Sequence, residues 1–323
     1  MSNLKYLLDR FQRHPVVIRL LAELSTSADF TQEWHISGMK GAQESFLVAA
    51  LASAHGRPVE EMHLMIAGGK EEAAYRYNDL QGLLDNWQVS FFPDSFKSPM
   101  AFELLNATQT LQRSEIVNKM TLPDPPKVIV TYPEALFEKV VRPDVLLKNR
   151  IDVRVGEKLD LDWMIEVLVE YHFERVDFVF EPGHFSVRGG IIDLFSYSND
   201  LPYRVELFDD EVETIRTFDP LTQLSQQQLE RLSIVPNLHT RFHQNEKVSL
   251  LDILPANALI WLKDYDLLTE KLLKCFEKAE LYGSRLTAMD DAALREIFRD
   301  RAFLYPHEVR EALTDRKVIH FEL

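Results

Sequence analysis

Apolar and polar positions alternate along residues 173–219 in short runs, which Pro-Gly, Gly-Gly and Asn-Asp pairs separate. Successive side chains of a β-strand point to opposite faces, and these dipeptides favour tight turns. The pattern therefore predicts an antiparallel sheet made of short strands that are joined by hairpins.

The run at residues 202–208 predicts one apolar and one polar sheet face. The two sets are Tyr203, Val205 and Leu207 on one side, and Arg204, Glu206 and Phe208 on the other. We interpret the first set as part of a core. The second set carries two charges and an aromatic ring, so it is the candidate for contact with another molecule.

The preceding run, FSVRGG, has the same alternation. It places Phe185 and Val187 on one face and Ser186 and Arg188 on the other. An arginine-bearing face with a lone aromatic side chain is typical of a protein-binding surface. The alternative is a charged face that is simply solvated, which is common in antiparallel sheets.

Apolar strands alternate with helices in the rest of the chain, both before and after this segment. The alternation predicts an α/β fold in which residues 1–145 and 227–323 form a mainly parallel sheet. Residues 146–226 form an inserted α+β domain with the antiparallel sheet. A helix that starts after the candidate N-cap Asp160, with Trp163 in its packing stripe, is expected to back that sheet.

A glycine corner follows the first strand, at Gly38 and Gly41. It has the strand, turn and helix order of a phosphate-binding loop, but Glu44 stands at the lysine position before Ser45. A carboxylate there would repel phosphate oxygens. We therefore interpret the corner as a degenerate nucleotide site, or as an ordinary turn with no ligand.

A later strand, ALIWL, ends in Lys263-Asp264 where an active motor would have Asp-Glu to hold magnesium and polarise water. A cation replaces the metal-binding carboxylate. The phosphate-binding loop and the magnesium-binding strand end thus both lack a required residue. We therefore expect no ATP hydrolysis by this chain, no catalytic residues and no bound cofactor.

Composition narrows the function classes further. The 323 residues carry a formal net charge of −15, which disfavours unaided binding to DNA phosphates. The single cysteine excludes an internal disulfide, and we expect no metal site because no local ligand spacing appears. No long apolar run or leader is present, so we expect a cytoplasmic protein without a membrane partner.

Two further groups are expected to be structural. Asp209, Asp210 and Glu211 follow a strand, and acidic residues favour such turns, so we predict a hairpin turn rather than a metal or catalytic site. His172 and His184 lack ligand partners at a suitable spacing and are expected to be surface or packing residues.

The segments FSVRGGIIDLF and PYRVELFDDEVETIRTFD resemble the UvrA-binding domain shared by UvrB and the transcription-repair coupling factors, the Mfd family. IAGGKEEAAYRYNDL is similar to the second helicase motif of the same proteins. The resemblance implies a degenerate helicase or RecA-like (UvrB-like) domain, in parts 1a and 1b, around the inserted domain 2. The short interval between Phe92 and Val128 has no room for the long aromatic hairpin of UvrB, which favours the coupling factors.

The resemblance also implies the contact residues. The UvrA-contacting arginines and glutamate fall on Arg175, Arg188, Arg204 and Glu206. We expect Arg188 and Arg204 to contact carboxylates on UvrA, and Glu206 to orient Arg204 or accept from a partner cation. Phe208 is added as an apolar anchor from its side of the strand.

The function implied is a non-catalytic module that recruits UvrA to stalled RNA polymerase. The resemblance implies separate motor and polymerase-binding domains beyond Leu323, which would bind DNA, ATP, magnesium and RNA polymerase. The final strand, VIHFEL, has nothing after it to cover its edge, so we expect an N-terminal piece of a larger protein. The alternatives are a UvrB-like nucleotide-dependent DNA-handling protein and an acidic scaffold unrelated to repair.

Overall fold

The computed structural model describes most of the chain in two structural units. The described residues are 3–26, 33–54, 62–85, 88–98, 101–105, 107–122, 124–197, 199, 201–234, 246–285 and 303–322. Among them, no helix is long and apolar enough to cross a membrane.

The first unit begins with helices and strands in alternation. Its elements are α1 (Asn3–Gln12), α2 (Pro15–Thr26), β1 (Glu33–Ser37), α3 (Gln43–Ala52), β2 (His63–Ile66), α4 (Lys70–Leu83), β3 (Val89–Phe91), β4 (Phe96–Ser98), β5 (Ala101–Leu105), α5 (Ala107–Lys119), β6 (Val128–Thr131), α6 (Pro133–Phe137), β7 (Val140–Val141) and α7 (Pro143–Lys148).

The second unit follows directly. It contains β8 (Ile151–Arg154), α8 (Leu161–Glu170), β9 (Glu174–Arg175), β10 (His184–Arg188), β11 (Ile191–Leu194), β12 (Tyr203–Phe208), β13 (Glu211–Phe218), β14 (Ser225–Leu229) and β15 (Arg231–Ile234). The chain then returns to the first unit with β16 (Lys247–Val248), α9 (Leu250–Ile253), β17 (Leu259–Leu262), α10 (Tyr265–Gly283), α11 (Pro306–Thr314) and β18 (Lys317–Glu322).

A parallel sheet of six strands forms the centre of the first unit, in the order β1-β18-β17-β2-β6-β3. Strands β2, β6 and β17 are buried at every position, as apolar strands covered by helices on both faces must be. The predicted α/β fold with a parallel sheet is confirmed.

The position of β18 corrects the expectation of an uncovered final strand. β18 lies between β1 and β17 and pairs with both in parallel. The edge of β18 is covered because β1, the first strand in the chain, pairs with it. Strand order, which no local pattern determines, decides this placement.

The second unit is built on a sheet in the order β14-β13-β12-β11-β10-β9, antiparallel except for the short β9–β10 pair. Its core joins sheet residues such as Phe185 and Val205 to Met164 and Leu168 of α8. Asp160 caps α8 by accepting from the backbone N–H of residues 162 and 163. Trp163, in contrast, is 47% exposed, so its predicted place in the packing stripe is wrong.

The second core extends beyond the predicted boundary at residue 226. That boundary lies inside β14, and β15 then pairs with β8, so that Leu232 and Ile234 complete the same core. Cross-strand pairing of two distant segments closes the unit, and no composition change marks it in the sequence.

The interval between β3 and β6 holds the antiparallel pair β4–β5 and the helix α5. A second short pair, β7–β16, joins the segments that leave and re-enter the first unit.

Candidate protein-binding face and nucleotide-like corner

Cross-strand register gathers the polar residues of the second unit on one sheet face. Residues directly opposite each other on neighbouring strands share a face. The paired residues on this face are Ser186, Asp193, Arg204 and Arg216 in one row, and Arg188, Ile191, Glu206 and Thr214 in the next. We call this surface, on β10 to β13, the arginine face.

Asp193 is the centre of the arginine face. Its carboxylate is only 1% exposed and accepts from Arg204 through Nε (2.7 Å) and Nη2 (2.9 Å), and Arg188 Nη2 donates to the same carboxylate. The hydrogen bonds that Arg204 donates to Asp193 raise the pKa of its guanidinium group, against the opposing effect of burial. One buried negative charge therefore holds two cations and leaves a net positive surface.

The two arginines differ in accessibility. The side chain of Arg188 is 46% exposed, whereas that of Arg204 is 17% exposed. Arg188 therefore offers more of its guanidinium to another molecule, and Arg204 is the more firmly held of the two. A guanidinium fixed in this way loses less conformational freedom when it binds a carboxylate.

Aromatic rings pack against both guanidinium groups. The guanidinium carbon of Arg204 lies 4.7 Å from the centre of the Phe218 ring, and that of Arg188 lies 5.6 Å from the Phe178 ring. Phe218 is buried, but Phe178 and Phe180 are about half exposed. Leu221 and Leu224, in the turn after β13, are also exposed. The backbone oxygen of Gln223 in the same turn accepts from Arg204.

Of the two predicted roles of Glu206, orienting Arg204 does not agree with the structure, and accepting from a cation of the partner stays a prediction. Glu206 Oε2 accepts from Arg216 Nη2 and from Thr214 Oγ1, each at 2.9 Å. Arg204 is instead directed by Asp193, one strand further along the sheet. The sequence carried a signal for Asp193, because it is the one polar residue in the apolar run Ile191–Leu194.

Phe208 stands apart from the arginine cluster at the end of β12, where its side chain is 75% exposed. Asp209, with φ of 57°, and Asp210 form the hairpin turn that follows. Asp210 pairs with Lys158 at 2.7 Å, and this hydrogen bond lowers the pKa of the carboxyl group. The acidic cluster therefore has the structural role of a turn.

Arg175 is not brought to the arginine face. The register pairs it with Phe185, whose side chain is in the core, so Arg175 belongs to the opposite row at the edge of the sheet. It is exposed there. His172 ends α8 in a left-handed conformation, with φ of 62°, and His184 is partly buried in β10.

Arg76 and Glu44 lie beside the glycine corner after β1. Gly38 and Gly41 have φ of 79° and 58°, which favour glycine. Arg76 of α4 donates to the Gly41 carbonyl at 2.6 Å and forms an ion pair with the buried Glu44. Arg76 is thus the cation that compensates the buried charge of Glu44.

The remaining corner residues also form ion pairs and hydrogen bonds within the protein. Lys263 pairs with Glu72 at 3.1 Å, and Glu72 is within reach of Arg76 at 3.4 Å. Ser45 Oγ donates to Asp79 at 3.0 Å. Asp264 caps α10 by accepting from the Leu267 N–H at 3.0 Å. The predicted degenerate residues therefore lie in a cluster of ion pairs and a helix cap, where nucleotide phosphates would meet both Glu44 and Glu72.

Burial raises the pKa of Glu44, while the charges of Arg76 and Lys263 oppose the rise. The two cations thus stabilise the charged carboxylate and offset part of the cost of its burial. The sequence pattern identified Glu44 and Lys263 as anomalies. Arg76 and Glu72, which link them, lie in the segment IAGGKEEAAYRYNDL, whose contact with the glycine corner only the structure shows.

Comparison with known proteins finds a family match within the second unit. Residues 151–239 match the family described as the UvrB interaction domain. Over 233 residues, 72% of this chain, the sequence is 29% identical to the transcription-repair-coupling factor of Bacillus subtilis, of which this covers 19%. It is also 31% identical over 216 residues to UvrABC system protein B of Photobacterium profundum, and 29% identical over 217 residues to that of Thermodesulfovibrio yellowstonii.

These matches confirm the resemblance to the UvrB-like region of transcription-repair coupling factors. The chain spans about a fifth of the length of the Bacillus relative and about a third of the UvrB relatives.

Proposed function

We propose that this chain is the non-catalytic module of a transcription-repair coupling factor, and that its arginine face binds UvrA. The similarity to repair proteins supports a role in coupling nucleotide-excision repair to transcription. The observation that carries the proposal is the pair of arginines that one buried carboxylate, Asp193, holds at the surface of the matched domain. RNA polymerase and DNA would be bound by other parts of the complete protein.

We assign the main contact to Arg188, because its side chain is the more exposed, and a supporting contact to Arg204. Charge-assisted hydrogen bonds from Arg188 to carboxylates on UvrA would be strengthened by the apolar rings beside it. Phe178 and Phe180, which the sequence did not point to, supply apolar area beside Arg188, and Phe208 lies further along the sheet.

The test is direct binding of the purified chain to UvrA at two salt concentrations. Arg188→Ala should weaken binding by about 1–3 kcal/mol without unfolding, because its side chain is nearly half exposed. Arg231→Ala is the matched control, since Arg231 is an exposed arginine of the same unit on the separate β8–β15 pair.

Equal loss of affinity in both variants would indicate a general charge effect and not a specific face. Unchanged binding by folded Arg188→Ala would reject the arginine face. Complete absence of UvrA binding by the wild-type chain would reject the proposal and leave two alternatives, the acidic scaffold and the UvrB-like nucleotide-dependent protein.

The proposal of a non-catalytic module rests on the ion pairs in the glycine corner. A nucleotide would have to place its phosphates beside the carboxylate of Glu44, which is already paired with Arg76. Titration of the chain with Mg-ATP should therefore give no binding heat. Measurable binding would favour the UvrB-like nucleotide-dependent protein instead.

A further inference from the structure

Three metal-ligating side chains that belong to neither site described above meet on one face of the parallel sheet. Glu33 and His35 are two residues apart on β1 and therefore share a face. The register pairs His35 with His320 of the neighbouring β18. The chain thus brings together ligands from residues 33–35 and from residue 320, which no local spacing in the sequence could reveal.

The distances are close to those of a metal site. Glu33 Oε2 lies 3.4 Å from His320 Nε2 and 3.9 Å from His35 Nε2. One ligand atom from each of the three side chains lies within 4.8 Å of the others. Zinc bonds of about 2.0–2.1 Å in a tetrahedron separate ligand atoms by roughly 3.4 Å. Binding would require the two stacked imidazole rings to turn out of their parallel planes, so that the Nε2 lone pair of each ring points at the ion.

The surroundings leave room for a further ligand. The two imidazole rings are stacked, with centroids 4.8 Å apart and planes at 10°. An open groove with a volume of about 270 Å³ adjoins Glu33 and His320 and is also lined by Tyr265, Arg310 and Thr314. The side chain of His320 is 14% exposed, whereas Glu33 and His35 are more than half exposed, so an ion could enter from solvent.

We propose that Glu33, His35 and His320 bind one divalent transition-metal ion, zinc or a similar ion. Two neutral imidazoles and one carboxylate are a donor set that proteins use for zinc. The groove would leave a fourth position for water or an anionic group. The bound ion would join the edge strand β1 to β18 and so stabilise the first unit. This inference is independent of UvrA binding.

The test is calorimetric titration of the chain, free of any histidine tag, with zinc sulfate. One ion per chain should bind, and the ion should raise the thermal unfolding midpoint because it binds only the folded protein. Visible absorption after titration with Co²⁺ should indicate a four-coordinate site.

Glu33→Gln and His35→Ala should each weaken zinc binding at least about tenfold, since loss of even an outer partner costs that much. Both residues are exposed, so these variants should fold, which circular dichroism will check. His307→Ala, an exposed histidine on α11, is the control and should bind as the wild type does.

Absence of stoichiometric binding would overturn the proposal and leave a carboxylate–histidine ion pair only. Binding that persists unchanged in both Glu33→Gln and His35→Ala would also overturn it.

Discussion

The buried carboxylate of Asp193 should determine both the stability and the binding competence of the arginine face. Asp193→Asn keeps the shape of the side chain but removes the charge that faces Arg188 and Arg204. Arg204 would lose two charge-assisted hydrogen bonds, at 2.7 and 2.9 Å, and the Asn side chain could accept only part of them. The two guanidinium groups would then repel each other.

The magnitude follows from the burial of the acceptor. Hydrogen bonds to charged groups contribute about 1.5–3 kcal/mol each to the free energy of unfolding. Removing one partner of a buried ion pair costs about 3–5 kcal/mol. The contact with Arg188 adds little because that side chain is 46% exposed. Because Asn retains one acceptor, we expect the free energy of unfolding of the second unit to fall by about 3 kcal/mol.

Native-state hydrogen exchange of the amides in β10 to β13 measures this loss separately from the first unit. Glu213→Gln is the matched control, because Glu213 is an exposed carboxylate on the same sheet, and it should change stability by less than about 0.5 kcal/mol. An Asp193→Asn variant as stable as the control would refute the reasoning that one buried carboxylate organises the face.

Two further predictions concern buried titratable groups. Glu44 has a folded-state pKa above its ordinary value of 4.5, because burial outweighs the attraction of its cations, so the folded protein retains a proton that the unfolded chain has released. The free energy of unfolding of the wild type should therefore decline, relative to that of Glu44→Gln, as the pH rises from about 4.5 through the raised pKa. Urea unfolding at several pH values will measure the difference between the two proteins. A difference that does not depend on pH would contradict the prediction. Burial raises the pKa of the Cys275 thiol to about 12. A thiol reagent should therefore modify the folded chain far more slowly than the urea-unfolded chain. Equal rates of modification would contradict the burial of Cys275.

Local patterns in the sequence determined the elements of this protein and much of their orientation. The alternation from Tyr203 to Phe208 correctly separated core from surface positions, since side-chain direction along a strand is intrinsic to the extended backbone. Asp160 was recognised as the cap of α8 because the capping hydrogen bonds span only a few residues. Alternation of apolar strands with helices likewise specified a parallel sheet.

Only the tertiary structure decided which of these side chains meet. Asp193 and not Glu206 directs Arg204, and Arg175 lies on the opposite face, because strand register selects the partners. β18 is covered by β1, and Glu33 meets His320, because the first and last strands of the parallel sheet are neighbours. Such contacts join residues far apart in the chain, and their formation depends on strand order and packing of the whole fold, which no local periodicity encodes.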